Sequence, residues 1–189
     1  MFDTIEEKNN VLISKAKSYM SSIEDKMHDI SHMEDVVLYT KKLLEVLDLD
    51  VDKEVCIISA YFHDVGRIKL NDGHEKLSAD MLKEEMEKLG YDESFIDKCY
   101  QAVVYHKWNM EPKTLEGKIV KDADKIGFIG LNRWKSCIES NTSLDNIMEL
   151  LPRLRDEFLY FPESKKIYDE EIIKLLEYLY RRNYEGYNR

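Results

Sequence analysis

Residues 50–67 read D-V-D-K-E-V-C-I-I-S-A-Y-F-H-D-V-G-R, and this stretch decides the fold. It opens with acidic residues of the kind that begin a helix, and the run 55–62 is apolar almost all round. A helix without a polar face is typical of the middle of a fold. His63-Asp64 ends the run, and Gly66 follows as a residue that terminates helices. The sequence therefore predicts a central buried helix with a histidine and an aspartate at its end.

Helical periodicity continues on both sides of this segment. Apolar residues recur at helical spacing in 5–20, 32–47, 77–89, 92–106 and 114–126, and in a C-terminal pair, 144–161 and 164–182. Asp92 and Thr114 are suited to begin helices, and Gly90 to end one. Pro152 would start or kink the first helix of the C-terminal pair, 144–182. The prediction is an all-α fold, a single domain over 1–189 with roughly seven to nine helices around the central helix.

Charge and composition exclude several classes of function. A net charge of −10 over 189 residues disfavours extended nucleic-acid binding, but it leaves room for a small phosphorylated substrate in a locally positive pocket. No apolar run approaches the roughly 18 residues of a membrane span, and the acidic N-terminus lacks a secretory signal pattern. The widely spaced Cys56, Cys99 and Cys137 predict reduced, buried thiols. We therefore expect a cytoplasmic protein with no membrane partner.

The five histidines all lie at or beside predicted helix ends or turns: His28, His32, His63, His74 and His106. Imidazole nitrogen mixed with carboxylate oxygen suits Mn, Fe, Co, Ni or Zn better than Mg or Ca. His63 and Asp64 point about 100° apart on a helix, so they can share one ion only near a helix end. Asp64 has a second oxygen that could bridge to another ion. The alternative is a buried histidine that caps a helix beside an ordinary turn aspartate, but the apolar helix before the pair and the other histidines favour a metal.

Three motifs carry a family resemblance: H-D-I-S-H at 28–32, F-H-D-V-G-R at 62–67 and T-L-E-G-K-I-V-K-D-A-D-K-I at 114–126. In this order they resemble the HD-domain metal-dependent phosphohydrolases over about residues 28–130. The resemblance implies an HD-type helical fold and a first metal held by His32, His63, Asp64 and Asp124. The helical wheel alone leaves Asp122 and Asp124 open as ligands, and the Asp before K-I is the one that matches the family motif. Asp122 is then a carboxylate beside the site or on the surface.

Two further histidines extend the resemblance. His74 in D-G-H-E and His106 in V-Y-H-K fit the layout of two-metal members, in which the Asp of the H-D pair, here Asp64, bridges to a second ion. A catalytic or phosphate-binding role is another interpretation, and exposed histidines at helix ends are the plain alternative. The T-L-E-G-K block resembles a nucleotide-pyrophosphatase-like branch of the family. One divalent ion and two are therefore both open.

Cations near the motifs are candidates for phosphate binding. Arg67, in H-D-V-G-R, could hold a phosphate oxygen through two hydrogen bonds. Lys107 and Lys125 are further candidates, although a charged residue on a solvated face is the ordinary outcome for each. His28, one helical turn before His32, is predicted to support that ligand rather than to bind metal.

The resemblance implies a hydrolase that cleaves a phosphate ester or anhydride of a nucleotide-type small molecule. The attack would come from metal-bound hydroxide, without a covalent protein intermediate. Two other functions stay open. H-D-I-S-H has the two-histidine spacing of a metallopeptidase, but with Asp in the place of the general-base Glu. A non-catalytic metal-binding sensor or interaction module would use aromatic residues such as Trp108 and Trp134 for an interface, and the chain could form a homodimer.

Overall fold

The computed structural model of the chain describes residues 4–140 and 145–187. Over these residues the backbone forms nine α-helices and one short 3₁₀ turn, with no β-strand. The helices are α1 Ile5–Ser21, α2 Ile30–Val46, α3 Lys53–Phe62, α4 His74–Lys88, α5 Glu93–Val104, α6 Leu115–Gly127, α7 Leu131–Glu139, α8 Asp145–Glu157 and α9 Pro162–Tyr187, and the 3₁₀ turn is Val65–Ile68. The predicted all-α fold is confirmed. Residue 144, the predicted start of the C-terminal pair, lies outside the described residues, and the single domain over 1–189 stays a prediction.

Side-chain caps explain where the early helices begin. Asp52, Asp92 and Thr114 each accept a hydrogen bond from a backbone N–H group in the first turn of α3, α5 and α6. Thr4 and Asp29 do the same for α1 and α2. These oxygens satisfy N–H donors that have no partner within the helix, and the carboxylates also meet the positive end of the helix dipole. The helix starts therefore follow from short polar motifs that the sequence displays.

Helix α3 lies at the centre of the fold, as the sequence predicts. The buried side chains on it are Val55, Cys56, Ile58, Ser59, Ala60 and Phe62, because α1, α2, α5 and α6 pack around the helix. Burying one large apolar side chain stabilises a fold by about 1.5–3 kcal/mol, so α3 contributes strongly to stability. The end of α3 lies inside the molecule, and His63 and Asp64 behind it are therefore buried as well.

The 3₁₀ turn after α3 packs closely on α4. A Cβ atom on Gly66 would lie 2.4 Å from the carbonyl oxygen of His74 and 2.8 Å from the backbone nitrogen of Ser78. The Gly66 N–H group donates to Ser78 Oγ at 2.8 Å. The glycine is therefore needed for close approach, which differs from the helix-terminating role that the sequence suggests. This approach brings His74 beside Asp64.

Several helix boundaries differ from the prediction. Helix α4 begins at His74, ahead of its apolar stripe, because Gly73 takes a left-handed conformation with φ of 79° directly before it. Helix α5 ends at Val104, so His106 lies beyond it. Helix α8 runs through Pro152 rather than starting there.

The short helix α7 has no counterpart in the prediction. Its buried side chains are Arg133, Trp134 and Cys137, so its inner face lacks the aliphatic stripe that reveals a helix in a sequence. Cys56, Cys99 and Cys137 are all free and buried. None of the helices that the structure describes is long and apolar enough to cross a membrane.

Candidate metal centre

Two groups of buried side chains converge around the end of the central helix. The first cluster is His32, His63 and Asp124, and the second cluster is Asp64, His74 and His106. Within each cluster, one potential ligand atom from each residue lies within 4.8 Å of the others. These residues come from α2, the end of α3, α4, the end of α5 and α6. The structure therefore brings together all six residues that the sequence proposed as ligands.

The ligand atoms of the first cluster are spaced for a shared ion. His32 Nε2 lies 3.2 Å from Asp124 Oδ1 and 3.4 Å from His63 Nε2. The distance from His63 Nε2 to Asp124 Oδ1 is 4.0 Å. Two ligands that are each about 2.1 Å from one ion, at right or tetrahedral angles, lie about 3.0–3.4 Å apart. The cluster is at or slightly above this spacing, so a small inward movement would complete it.

Asp64 faces both clusters. Its Oδ1 atom lies 3.0 Å from His74 Nε2 and 3.5 Å from His106 Nε2. Its Oδ2 atom lies 3.6 Å from His63 Nε2 and 4.0 Å from His32 Nε2. One oxygen of the carboxylate thus points into each cluster. This geometry fits the sequence-based hypothesis that Asp64 joins two metal sites.

Backbone carbonyl groups fix the tautomer of three histidines. Each donates its Nδ1–H to the carbonyl three residues earlier, at 2.7–2.8 Å: His63 to Ala60, His74 to Asn71 and His106 to Val103. Because a carbonyl oxygen can only accept, Nδ1 carries the proton and Nε2 turns its lone pair towards the cluster. Metal-binding histidines are held by an outer hydrogen bond of this kind. His63 and His106 lie just past helix ends, where the last carbonyl groups of a helix are free.

Neutral histidines face ionised aspartates in this centre. Burial lowers the pKa of His63, and burial together with Arg133 lowers the pKa of His32 to about 3. Burial opposes the ionisation of Asp64 and Asp124, but Arg67 beside Asp64 and Lys125 beside Asp124 favour it, and both pKa values lie well below the usual range. A metal needs neutral imidazole and ionised carboxylate, so His32, His63, Asp64 and Asp124 are in their binding form at neutral pH.

Two predicted phosphate-binding cations pair with site carboxylates. Arg67 Nε lies 2.8 Å from Asp64 Oδ2, although the two atoms lack the alignment of a hydrogen bond. Lys125 Nζ pairs with Asp124 Oδ2. Both cations therefore compensate charge at the carboxylates that a metal would otherwise neutralise.

His28 lies beside His32, which is a ligand candidate. Its Nδ1 atom is 2.7 Å from Asp25 Oδ2. The ring centroid is 6.0 Å from that of His32, at nearly a right angle. The residue thus packs against the first cluster while its own nitrogen is held by a carboxylate outside it.

The carboxylate of Asp122 belongs to neither cluster. Its carboxylate accepts hydrogen bonds from the backbone N–H groups of Tyr160 and Phe161 at 3.0–3.2 Å, and burial raises its pKa to about 6. It therefore holds the turn that leads into α9. Asp122 and Asp124 are about 200° apart around α6, which explains why one carboxylate reaches the cluster and the other faces away.

A cavity of about 370 Å³ opens onto both clusters. Its lining includes ligand side chains from each cluster, the cations Arg67, Lys107 and Lys125, and the aromatic residues Trp108 and Phe128. Lys107 Nζ pairs with Asp72 Oδ1 at 2.7 Å on the cavity wall. A larger cavity of about 560 Å³ lies between α4 and α5, but none of the metal-ligand candidates lines it. The chemistry of the lining, rather than the volume, identifies the site.

The sequence does not place Trp108 and Phe128 in the site, and it offers Arg133 only as a weak candidate for phosphate binding, with a solvated surface position as the ordinary outcome. Trp108 and Phe128 line the cavity, and Arg133 is only 1% exposed behind them. Arg133 Nη1 donates to the Phe128 carbonyl at 3.2 Å, and its guanidinium carbon lies 4.0 Å from the Phe128 ring centroid. The position of Trp108 two residues after His106 is a signal that could have placed it at the site. Arg133 belongs to the unpredicted α7, and no local pattern marks it.

Fold and site together define an all-helical protein with a histidine–aspartate metal centre at the end of its central helix. The chain belongs to the HD domain family, which matches residues 29–128, and the resemblance drawn from the three motifs is confirmed. Membership of this family supports a metal-dependent hydrolase, and the two clusters could hold the metal.

Solved structures agree on the fold. A protein described as a predicted HD superfamily hydrolase, from an uncultured Thermotogales bacterium, has a TM-score of 0.66 at 22% identity, over 96% of this chain and 92% of that one. Bacillus subtilis YpgQ, solved in complex with ADP, has a TM-score of 0.68 at 20% identity, over 95% of each chain. At these identities the likeness shows the fold alone. Among curated proteins, none matches the chain in sequence.

Proposed function

We propose that the chain is a metal-dependent phosphohydrolase that cleaves a phosphate ester or anhydride of a nucleotide-type small molecule. One observation carries the proposal: the carboxylate of Asp64 presents one oxygen to each of two buried histidine clusters. A carboxylate between two nitrogen-rich clusters is the arrangement of a two-metal hydrolytic site.

The residues of both clusters fit divalent ions. In the first cluster three potential ligand atoms lie close together: His32 Nε2, His63 Nε2 and Asp124 Oδ1. The tautomer of His63 makes its Nε2 atom a hydrogen-bond acceptor, and the carboxylate of Asp124 is an acceptor too. Asp64 Oδ1 and His74 Nε2 are buried without a hydrogen-bond partner. Electron-pair donors that face one another away from water are costly unless a cation is shared between them. Mixed nitrogen and oxygen ligands favour Mn, Fe, Co, Ni or Zn, one or two ions with Asp64 between them.

When bound, such ions supply Lewis acidity and lower the pKa of a water molecule to near neutrality. The protein's own side chains then bind and orient the phosphate. Arg67 can release Asp64 to the metal and donate two parallel hydrogen bonds to a phosphate oxygen pair. Lys107 and Lys125 also line the cavity and add positive charge to it. The three cations balance the three carboxylates of the lining, Asp64, Asp72 and Asp124, so bound divalent ions would make the cavity positive within a chain whose net charge is −10.

A nucleotide-type substrate is supported by the cavity and by one relative. A volume of about 370 Å³ lies in the range of sites for small organic molecules. YpgQ, which shares the fold, was solved with ADP. A cytoplasmic location and a homodimer stay predictions.

The metallopeptidase alternative finds no support in the geometry of H-D-I-S-H. His28 pairs with Asp25 rather than joining His32 at an ion. Asp29, in the place of a general base, accepts the Ser31 N–H group at 2.9 Å and caps α2. Neither residue is placed for peptide hydrolysis.

The test is a panel of nucleotides and phosphodiesters, assayed with Mn, Co, Ni, Fe, Zn and Mg, with elemental analysis of the purified protein. We expect turnover of at least one phosphate compound with a transition metal, and its loss in His63→Ala. Asp122→Asn is the matched control, because this carboxylate lies on α6 but outside the clusters. A protein that binds metal yet hydrolyses no member of the panel would support a non-catalytic sensor or interaction module instead, and full activity in His63→Ala would refute the proposed centre.

A further inference from the structure

The cavity over the metal centre has one aromatic wall. Trp108 and Phe128 line it, whereas the other lining side chains are histidines, aspartates, cations and Asn71. The two aromatic rings contact each other edge to face, with centroids 5.5 Å apart. The polar side chains of the lining suit metal and phosphate, whereas an aromatic wall also suits a flat uncharged group of the ligand.

Trp108 is held in place from several sides. Lys121 Nζ donates to the carbonyl oxygens of Trp108, at 3.3 Å, and of Met110, so the loop that carries the ring is tied to α6. Phe158 packs against the ring with centroids 5.7 Å apart. A ring that is fixed before the ligand arrives loses little conformational entropy on binding.

Lys125 joins the aromatic wall to the metal centre. Its ammonium group lies 4.8 Å from the Trp108 ring centroid and pairs with the carboxylate of Asp124. The ring and a metal-ligand candidate therefore both contact a single side chain. A compact ligand with an anionic end and an aromatic end, a short distance apart, can reach both at once.

We propose that Trp108 stacks on the base of a nucleotide and determines the preference of this site for nucleotides over phosphate compounds without a base. This inference rests on the proposed function. It also predicts how the base is recognised. Asn71 is the one amide or hydroxyl side chain among the described lining residues, and it belongs to the segment whose carbonyl holds His74. The base is therefore recognised by its face rather than by its edge, so different bases are accepted and purines, with the larger face, bind more tightly than pyrimidines.

The experiment compares ADP with inorganic pyrophosphate, which has the diphosphate group without the nucleoside. Binding of each to the metal-loaded protein is measured by calorimetry for wild type, Trp108→Ala and Trp108→Phe. Because the variant loses the stacking of one base, we expect the ADP affinity of Trp108→Ala to be about five- to 150-fold lower than that of the wild type. Pyrophosphate affinity should stay unchanged, and Trp108→Phe should recover most of the ADP affinity. Trp108→Ala should also reduce the preference for ADP over UDP.

Fluorescence gives a readout that does not depend on turnover. The chain has two tryptophans, and Trp134, buried in α7, does not line the cavity, so Trp108→Phe removes the one tryptophan of the lining. ADP should quench the emission of the wild type and leave that of Trp108→Phe unchanged.

Three outcomes distinguish the stacking role of Trp108 from the proposed hydrolase function. Equal losses for ADP and pyrophosphate in Trp108→Ala would mean that the ring only supports the loop, and would overturn the stacking role. Unchanged ADP affinity in Trp108→Ala would overturn it as well. ADP binding that depends on Trp108, in a protein that hydrolyses no phosphate compound, would overturn the proposed function and support the stacking role.

Discussion

The two clusters are built in different ways, although they share Asp64. The first cluster takes its ligands from α2, the end of α3 and α6, with His32 and Asp124 ninety-two positions apart in the chain. It forms because the helices of the core pack around α3. In the second cluster, His74 reaches Asp64 through the close approach of the 3₁₀ turn to α4, which Gly66 permits. The first cluster therefore depends on the whole core, whereas the Asp64–His74 pair of the second depends on one local contact, and His106 joins that pair from the end of α5.

The clusters also differ in charge. The first has the carboxylate of Asp124 as well as one oxygen of Asp64, whereas the second has only the other oxygen of Asp64. Carboxylates add Coulomb attraction for a divalent ion. The first cluster should therefore bind metal more tightly, so that a single substitution can empty one cluster and leave the other filled.

Replacement of the shared residue should have the largest effect, because it damages both clusters. In Asp64→Asn the amide cannot supply two anionic oxygens, so both ions lose a ligand. A metal ion contributes several kcal/mol to such reactions, so we expect activity to fall by about 10³-fold or more. Elemental analysis and turnover of the best substrate in the panel measure this. Wild-type metal content in Asp64→Asn would show that the carboxylate bridges nothing.

The next test separates the clusters. Asp124→Asn should remove the tightly bound ion, whereas His74→Ala should remove only the weakly bound one and leave about one equivalent of metal. Activity should fall in both variants, with the larger loss, at least about 10²-fold, in Asp124→Asn. Metal titration by calorimetry distinguishes the two variants. Identical stoichiometry and affinity in both would contradict the proposed difference between the clusters.

The first cluster was largely predictable from the sequence, and its physical basis explains why. His63-Asp64 follows an apolar helix that has to lie in the core, so the position of the pair inside the molecule follows from hydrophobic burial alone. The choice of Asp124 over Asp122 did not follow from periodicity, because both flank the same apolar stripe of α6. Family resemblance made that choice, and in the structure Asp122 binds the turn before α9 instead.

The aromatic wall and Arg133 could not be read from the sequence in the same way. Trp108 is placed by Lys121 and Phe158, residues distant in the chain whose contacts depend on tertiary packing. Arg133 is a charged residue at a buried position, where sequence patterns predict an apolar one. Contacts of this kind depend on how the helices pack, whereas helix starts depend on residues only a few positions apart.

Asp122 and Asp124 lie on the same helix but differ in environment, and the pH dependence of stability tests the raised pKa of Asp122. Burial raises the pKa of Asp122 from 3.8 to about 6, so the folded protein holds this proton more tightly than the unfolded chain. The resulting stability is fully present below about pH 4 and is lost as the pH rises through about 6. Asp122→Asn removes this titration. Relative to wild type, the free energy of unfolding of the variant should therefore rise by up to about 3 kcal/mol between about pH 4 and about pH 7.

Urea unfolding of both proteins at a series of pH values, with metal chelated, measures this difference, and titrations common to the two proteins cancel. A difference in unfolding free energy that does not change with pH would show that Asp122 ionises normally in the folded protein.

The smallest expected effect tests the local contact that builds the second cluster. In Gly66→Ala the added Cβ would meet the His74 carbonyl at 2.4 Å, so the 3₁₀ turn must move away from α4. Overpacking of this kind costs about 1–3 kcal/mol. Ser78→Ala is the matched variant: it adds no atom and only removes the acceptor of the Gly66 N–H group, at a cost of about 1 kcal/mol.

Both variants should weaken metal binding at the second cluster in the order of these costs, and both should leave the first ion in place. Thermal unfolding and metal titration give the two quantities independently. Loss of the first ion in Ser78→Ala would show that the clusters are coupled through the core, and that the second does not depend on a local contact of its own.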